Sequence, residues 1–210
     1  MGAMVIASKL NSLSVRQAGI KRVFDFVFSL LGLVLSGWLI VLAWLAASLD
    51  TRSNGFFTQA RVGKDGKQFT LVKIKTMRPG HELTTTVTRS GDPRITSLGR
   101  FFRKTKIDEL PQLWNVLCGD MSFVGPRPDV PGFADQLEGE ERLLLSIRPG
   151  ITGPATLKYR NEEKLLAAAA DPEVYNRDVI WPDKVLINLE YICTWSLAKD
   201  IKYIWRTVIG

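Results

Sequence analysis

The sequence predicts an α+β protein with more helix than strand. An N-terminal membrane helix leads into a mainly helical domain that carries amphipathic interface helices and one small antiparallel β-hairpin. Three observations predict this. Residues 26 to 49 contain no charged side chain, enough length to meet the roughly 20 apolar residues that cross a hydrocarbon core. Gly63-Lys64-Asp65-Gly66 followed by Phe69-Thr70-Leu71-Val72-Lys73-Ile74 is a turn and a β-rich run, the pattern of a hairpin. From Ser97 onward, apolar residues recur at helical spacing among arginines and lysines, as in helices that lie in a membrane interface.

The apolar run leaves two topologies open. Its length suits a span, but Ser36-Gly37, with Gly32 one turn earlier, is a pair of the kind that kinks helices. Its flanks are basic on both sides: Lys9, Arg16, Lys21 and Arg22 before it, Arg52, Arg61, Lys64 and Lys67 after it. A span biases Lys and Arg to its cytoplasmic side. A helix that goes in, breaks near Ser36 and leaves by the same face satisfies both observations, with the Ser36 hydroxyl available to a freed carbonyl. The run is too long for the core of a cleavable signal peptide, and no small-x-small site follows it cleanly. Asp25, among Lys21 and Arg22, is read as anchoring the start of the helix through an ion pair. The chain therefore divides into an N-terminal segment (1–20), a membrane helix (21–50) and one soluble domain (51–210), large enough for its own core.

The charge balance, 28 Lys and Arg against 21 Asp and Glu for a net +7, suits an anionic partner: lipid headgroups, nucleic acid or a phosphorylated substrate. Cys118 and Cys193 stand far apart without metal-ligand spacing and are read as free thiols. His81 is the one histidine, read as a bystander in a polar loop. Zinc sites built on His, and Ser-His or Cys-His pairs, are thereby nearly excluded, so acid, base or nucleophilic chemistry falls to carboxylates.

In chain order, residues 78 to 94 hold Pro79, Gly80, Gly91, Asp92 and Pro93 and read as a loop. Ser97 to Lys106 places Leu98, Phe101 and Phe102 on one helical face. A second amphipathic helix is expected to begin near Asp108, with Leu110, Leu113, Trp114 and Leu117 in helical spacing and Pro111 in its first turn, and to end at Cys118-Gly119. Gly125-Pro126-Arg127-Pro128 and Arg148 to Pro154 read as rigid turns that exclude regular structure. Asn161 to Ala170 reads as a short helix. Pro182 opens a final helix carrying Leu186, Leu189, Ile192, Ile201, Ile204 and Trp205. Phe101, Phe102, Trp114, Trp195 and Trp205 are read as core or interface packing.

Asp108-Glu109 is the sharpest chemical signal. Basic neighbours and a helix start favour ionised carboxylates, and an ionised Asp is a nucleophile or a Mg²⁺ ligand. Taken alone, the pair is read as a cap and first-turn charge. Its company points to chemistry: Arg127 between two prolines and Arg148 before Pro-Gly aim guanidinium groups suited to phosphate. Together they suggest phosphoryl chemistry between a soluble and a lipid-linked substrate.

The stretch Asp92-Pro93-Arg94 through Arg100-Phe101-Phe102-Arg103-Lys104-Thr105-Lys106-Ile107-Asp108-Glu109-Leu110-Pro111-Gln112-Leu113-Trp114-Asn115, continuing to Gly125-Pro126-Arg127-Pro128, closely resembles the bacterial sugar transferase family of monotopic phosphoglycosyl transferases. Lys21-Arg22-x-x-Asp25, Lys73-Ile74-Lys75-Thr76-Met77, Arg148 to Gly153, and Trp195-Ser196-Leu197 with Asp200 support it, and the resemblance covers about residues 20 to 208. It implies a minimal catalytic core with a re-entrant helix, working at the cytoplasmic face of the bacterial inner membrane. It further implies transfer of a sugar 1-phosphate from a UDP-sugar to polyprenol (undecaprenol) phosphate with release of UMP. By that resemblance Asp108 is the nucleophile of a covalent phosphosugar intermediate. Glu109 assists the metal or the proton inventory, Mg²⁺ sits at Asp108 and Glu109, and Lys73, Arg103, Arg127 and Arg148 contact substrate. Lys73, alone on a strand, would otherwise read as a solvated face residue. Relatives often carry Ser-Pro at the membrane-helix break where this chain has Ser36-Gly37, and glycine keeps the N–H that proline lacks.

Two other classes compete. A membrane-anchored module could hold nucleotide sugars or anionic lipid without chemistry, in which case Asp108→Ala would leave its output intact. A nucleic-acid binder fits the positive charge but lacks any helix-turn-helix, zinc-finger or RNP pattern, so no nucleic-acid partner is expected.

Overall fold

A computed structural model of the chain describes residues 12–78 and 92–209. His81, most of the 78–94 loop, Lys9 and Met1 to Met4 lie outside the described residues.

Helix α1 (Val15–Thr51) dominates the architecture. Ser14 starts it with a reciprocal capping box to Gln17, and Arg52 closes it in the left-handed conformation. It is long and apolar enough to cross a membrane by length and composition. The helical backbone continues through Ser36 and Gly37, so the predicted break in helical structure is absent. The Ser36 hydroxyl instead donates to the Gly32 carbonyl at 2.7 Å, the back-bonding that bends helices without breaking them.

One stripe of α1 is buried in two stretches, Lys21, Asp25 and Ser29 and then Ala43, Ala47 and Thr51. Between them Gly32 lies against Leu113, where a β-carbon would approach the Leu side chain to 3.1 Å. The opposite face is apolar and exposed, with Val34 at 72% and Leu49 at 81%. A helix that buries small and polar residues while showing large apolar ones has its apolar side turned to lipid rather than to a protein core.

The ion pair expected around Asp25 is formed by other partners. Lys21 Nζ lies 2.6 Å from Asp200 Oδ2, both buried. Tyr191 Oη and Trp195 Nε1 donate to the same carboxylate at 2.5 and 3.0 Å. Asp25 accepts from the Ser122 hydroxyl at 3.0 Å and the Phe123 N–H at 3.1 Å. The Arg22 guanidinium donates to the Val116 and Leu117 carbonyls at 2.7 Å each. Asp25 therefore docks the helix through hydrogen bonds, and the charge that neutralises Lys21 comes from the far end of the chain.

Strands β1 (Phe56–Val62) and β2 (Gln68–Ile74) form the expected antiparallel hairpin, in register from Phe56 opposite Ile74 to Val62 opposite Gln68. Helix α2 (Ser97–Thr105) follows, capped by the Thr96 hydroxyl on the Gly99 N–H. Gly99 is obligatory here, because a β-carbon would collide with the backbone of Thr76. The face read as Leu98, Phe101 and Phe102 splits: Phe102 is buried, whereas Phe101 is 53% exposed.

The second amphipathic helix starts later than expected. Ile107–Glu109 is a single 3₁₀ turn, and α3 (Gln112–Cys118) begins after Pro111. Its buried face is also rotated from the expected one, keeping Leu113 and losing Trp114. Gln112, Leu113, Asn115 and Val116 are buried while Trp114 is 57% exposed. Asn115 explains this: its side chain accepts from the Val72 N–H at 3.1 Å and donates to the Thr70 carbonyl at 2.8 Å, completing the free edge of β2.

Gly125 to Pro128 is free of regular structure, as expected, but the turn from Arg148 to Pro154 holds a short strand. Strands β3 (Ser122–Val124) and β4 (Gly150–Thr152) pair in parallel, and the Gly150 N–H reaches the Pro126 carbonyl at 2.8 Å. The pairing requires glycine, since a β-carbon at 150 would strike the Gly125 backbone. Short helices α4 (Pro154–Lys158), α5 (Glu162–Ala168) and α6 (Pro172–Tyr175) then lead through a π-turn (Asn176–Ile180) into α7 (Trp181–Cys193). The single final helix is in fact two. The chain breaks at Thr194 to Ser196, where Trp195 turns inward to Asp200, and α8 (Leu197–Ile209) resumes.

Candidate active site

Lys106, in the left-handed conformation at φ 60°, turns the chain sharply from α2 into the 107–109 turn. A non-glycine residue held there stores strain of about 1 kcal/mol. The turn puts Asp108 inward at 8% exposure. Glu109 lies beside it, with Oε1 3.3 Å from Lys73 Nζ on β2. Arg103 sits on the last turn of α2, and its Nε donates to the Thr76 hydroxyl at 2.9 Å.

The two carboxylates are driven apart electrostatically. Burial, then the neighbouring Glu109, pushes Asp108 up to about 6, against the pull of Lys73, Lys106 and Arg103. Burial also works against the Glu109 carboxylate, but Lys73, Arg127 and Lys106 outweigh it and hold Glu109 below its ordinary value. Burial lowers Lys73, partly offset by Glu109. Adjacent titrating groups with opposite shifts mark sites of acid, base or nucleophilic work. Arg127, exposed between buried Pro126 and Pro128, shares this field with Glu109 and Lys73.

Asp108, Glu109, Lys73, Arg103 and Arg127 are thus brought together. Arg148 is not. Its Nε donates to the Gly119 carbonyl at 2.6 Å, at the C-terminal end of α3, where Arg22 takes the preceding carbonyls. Two guanidinium groups capping one helix C-terminus is a structural use of charge. Arg148, expected to contact substrate, thus has its Nε at the end of α3 rather than among the residues around Asp108. Arg148→Ala should lower stability by about 1 to 2 kcal/mol, read by thermal unfolding, and leave the KM for soluble substrate within twofold.

Asp108 Oδ1 is buried with no hydrogen-bond partner among the described residues. A bare carboxylate oxygen next to a second carboxylate is the donor set of a hard cation, and Mg²⁺ characteristically takes one or two carboxylates and completes its shell with water and substrate phosphates. Among the described residues no group of three or more His, Cys, Asp and Glu gathers.

Sequence reasoning missed Asn115, Tyr191 and Asp200 as organising residues. Asn115 carried a signal, a lone amide in an apolar helix. Tyr191 carried none, since a buried Tyr reads as packing.

Comparison with known proteins places the chain in context. It is 40% identical over 161 residues to a Bacillus subtilis protein provisionally named undecaprenyl-phosphate N-acetylgalactosaminyl 1-phosphate transferase, covering 74% of this chain and 86% of that one. It is 36% identical over 194 residues to the UDP-glucose:undecaprenyl-phosphate glucose-1-phosphate transferase of Caulobacter vibrioides, covering 90% and 68%. Against the Escherichia coli protein of the same description the figures are 35% over 195 residues, with 90% of this chain and 39% of that longer one. The sequence profile of the bacterial sugar transferases matches residues 16–210, and the chain belongs to that family.

Proposed function

We propose that the chain transfers a sugar 1-phosphate from a UDP-sugar to undecaprenyl phosphate and releases UMP, initiating a membrane glycoconjugate pathway at the cytoplasmic face of the bacterial inner membrane. The observation that carries this reading is the buried, unpartnered Oδ1 of Asp108 beside Glu109, Lys73 and Arg127. Relatives named as undecaprenyl-phosphate sugar phosphotransferases support it.

In this mechanism Asp108 attacks the sugar-bearing phosphorus. A carboxylate oxygen–phosphorus bond forms, the bond to the bridging oxygen breaks, and UMP leaves with that oxygen. A phosphate oxygen of the lipid then attacks the same phosphorus, and the Asp108 carboxylate departs. Both steps bring anions together, so cations must absorb charge in the transition state. In this reading Arg127 and Lys73 do so, Arg103 holds the rim through Thr76, and Glu109 keeps Lys73 charged and aimed. Mg²⁺ bound at Asp108 and Glu109 would neutralise the diphosphate oxygens.

The packing of α1 supports a re-entrant rather than a spanning helix. Lys21 meets Asp200 and Ala47 meets the Ile74–Phe102 cluster, both on the same soluble domain. The 26 helical steps from position 21 to position 47 extend about 39 Å at 1.5 Å per residue. A span would carry those two ends to opposite sides of the bilayer. Ser36 then lies near the deepest point, and exposed Phe101, Trp114 and Trp205 sit at the interface.

The test is UMP release over a panel of UDP-sugars with undecaprenyl phosphate and Mg²⁺. Release is expected with at least one donor and should fall at least about 100-fold in EDTA. Binding of donors or anionic lipid without release from any of them would replace this reading with the membrane-anchored binding module.

A further inference from the structure

Asp129 lies two residues beyond Arg127, and its surroundings are unusual for a surface carboxylate. The backbone is fixed to the end of β1: the Val62 N–H donates to the Asp129 carbonyl at 2.9 Å, and Arg61 Nη1 donates to the Pro128 carbonyl at 2.9 Å. Buried Pro126 and Pro128 stiffen the approach. The side chain is therefore held in a rigid frame. Yet its carboxylate accepts no hydrogen bond from the described residues, although Lys184, Arg61 and Arg127 are close enough to pull against the burial that pushes it up to about 6. Lys184 is instead paired with Glu162 at 2.6 Å. Beside Asp129, Arg61 Nε is buried and also has no partner among the described residues.

A rigid acceptor with no side-chain partner among the described residues lines one recess, and the buried, unused Arg61 Nε belongs to the residue next to Val62 of that lining. The recess is lined by Val62, Gly63, Arg127 and Asp129 over an apolar floor of Leu144 and Ile147, and its volume of about 20 Å³ has room for one water-sized group. A group that both donates and accepts would satisfy the two orphans together. A hydroxyl does this, and a bare phosphate oxygen does not, because it cannot donate to Asp129. In a UDP-sugar, the sugar hangs from the phosphorus that Asp108 attacks, so a ring seated past Arg127 presents its hydroxyls on this side.

We propose that Asp129, with Arg61 beside it, reads one hydroxyl of the donor sugar and is a specificity-determining residue. The inference rests on the sugar-phosphate transfer proposed above and names where that site selects its sugar. The differing sugars in the relatives' names, N-acetylgalactosamine and glucose, make such a selecting contact necessary. Sites built to hydrogen-bond a hydroxyl reject analogues lacking it far more strongly than apolar pockets reject extra bulk.

The experiment measures UMP release by the parent, Asp129→Asn and Asp129→Ala with the preferred UDP-sugar and with analogues deoxygenated singly around the ring. Affinities for UDP-sugar and for UDP are measured in parallel in the Asp108→Asn background. The expected result is a loss of about 10- to 100-fold in kcat/KM with the preferred donor and less than twofold with one deoxy analogue, the one missing the hydroxyl that Asp129 reads. UDP-sugar affinity should fall by a similar factor while UDP affinity stays within twofold. Equal losses on every donor, or matching losses for UDP and UDP-sugar, would mean that Asp129 only positions Arg127, and would overturn the proposal. So would undiminished activity in the Ala variant. Should the Ala variant fail to fold, the isosteric Asn variant carries the same comparison. A parent that releases UMP from no UDP-sugar removes the transfer reading itself, an outcome distinct from a parent that turns over and ignores Asp129.

Discussion

Replacing Asp108 by asparagine should abolish UMP release, by about 10⁴-fold or more as for other nucleophile losses, while making the folded protein more stable at neutral pH. The first half follows from the proposed bond to phosphorus, which an amide cannot form. The second follows from burial. The Asp108 carboxyl moves from an ordinary 3.8 up to about 6 because burial and Glu109 disfavour its charge. Between those values the folded protein holds a proton that the unfolded chain has lost, so stability falls as pH rises from about 4 to about 6 and stays reduced above that. Two pH units correspond to about 3 kcal/mol. The substituted amide carries no charge, so in metal-free buffer with EDTA at pH 7.5 the Asp108→Asn variant should gain about 2 to 3 kcal/mol by thermal or denaturant unfolding, and the gain should vanish below about pH 4. A variant that is both inactive and destabilised at pH 7.5 would show that Asp108 serves the fold rather than the chemistry.

The second large effect is structural. Lys21→Met should cost about 3 kcal/mol or more, the typical penalty for leaving one member of a buried ion pair without its partner. Asp200 would keep its hydrogen bonds from Tyr191 and Trp195 but lose the one cation at 2.6 Å. Because that pair joins the start of α1 to the start of α8, the damage should be local first. Protease or hydrogen exchange should open residues 15 to 25 and 197 to 209 before the hairpin. Lys21→Met combined with Asp200→Asn should recover much of the loss, since a neutral pair leaves no buried charge. Uniform destabilisation across the domain, with no rescue in the double variant, would contradict the latch.

Much of the fold was legible because it rests on local rules. The Gly63 to Gly66 turn produces the hairpin, Thr96 caps α2, and the charge-free run produces α1. What was not legible depends on partners distant in sequence. Nothing near Asp200 announces that it awaits Lys21, 179 positions away. The rotation of α3 was hidden for a similar reason: Trp114 looks like part of one core face with Leu113 until Asn115 is seen to complete β2. Strand β4 was hidden inside a turn signal, because a three-residue strand opening on glycine is too short for any period to appear.

The active site divides the same way. Asp108 and Glu109 stand out as adjacent acids among bases, and Arg127 as an arginine between prolines. Arg148 sits in an equally rigid turn, but rigidity does not say which way a guanidinium points, and it points at a helix end. Lys73 gains meaning only when β2 brings it to Glu109. Residues 155 to 183 were least legible, since they form short helices with no motif, and the pairing of Lys184 with Glu162 near Asp129 appears only in the fold.

The most direct measurement is peptide mass analysis of the parent protein, quenched after mixing with UDP-sugar and Mg²⁺ in the absence of lipid acceptor. The account predicts a sugar-phosphate adduct on the peptide holding residues 107 to 127, localised by fragmentation to Asp108, and discharged when undecaprenyl phosphate is added before quenching. Stoichiometric UMP release with no modified peptide, or an adduct that fragmentation places on another residue, would contradict it.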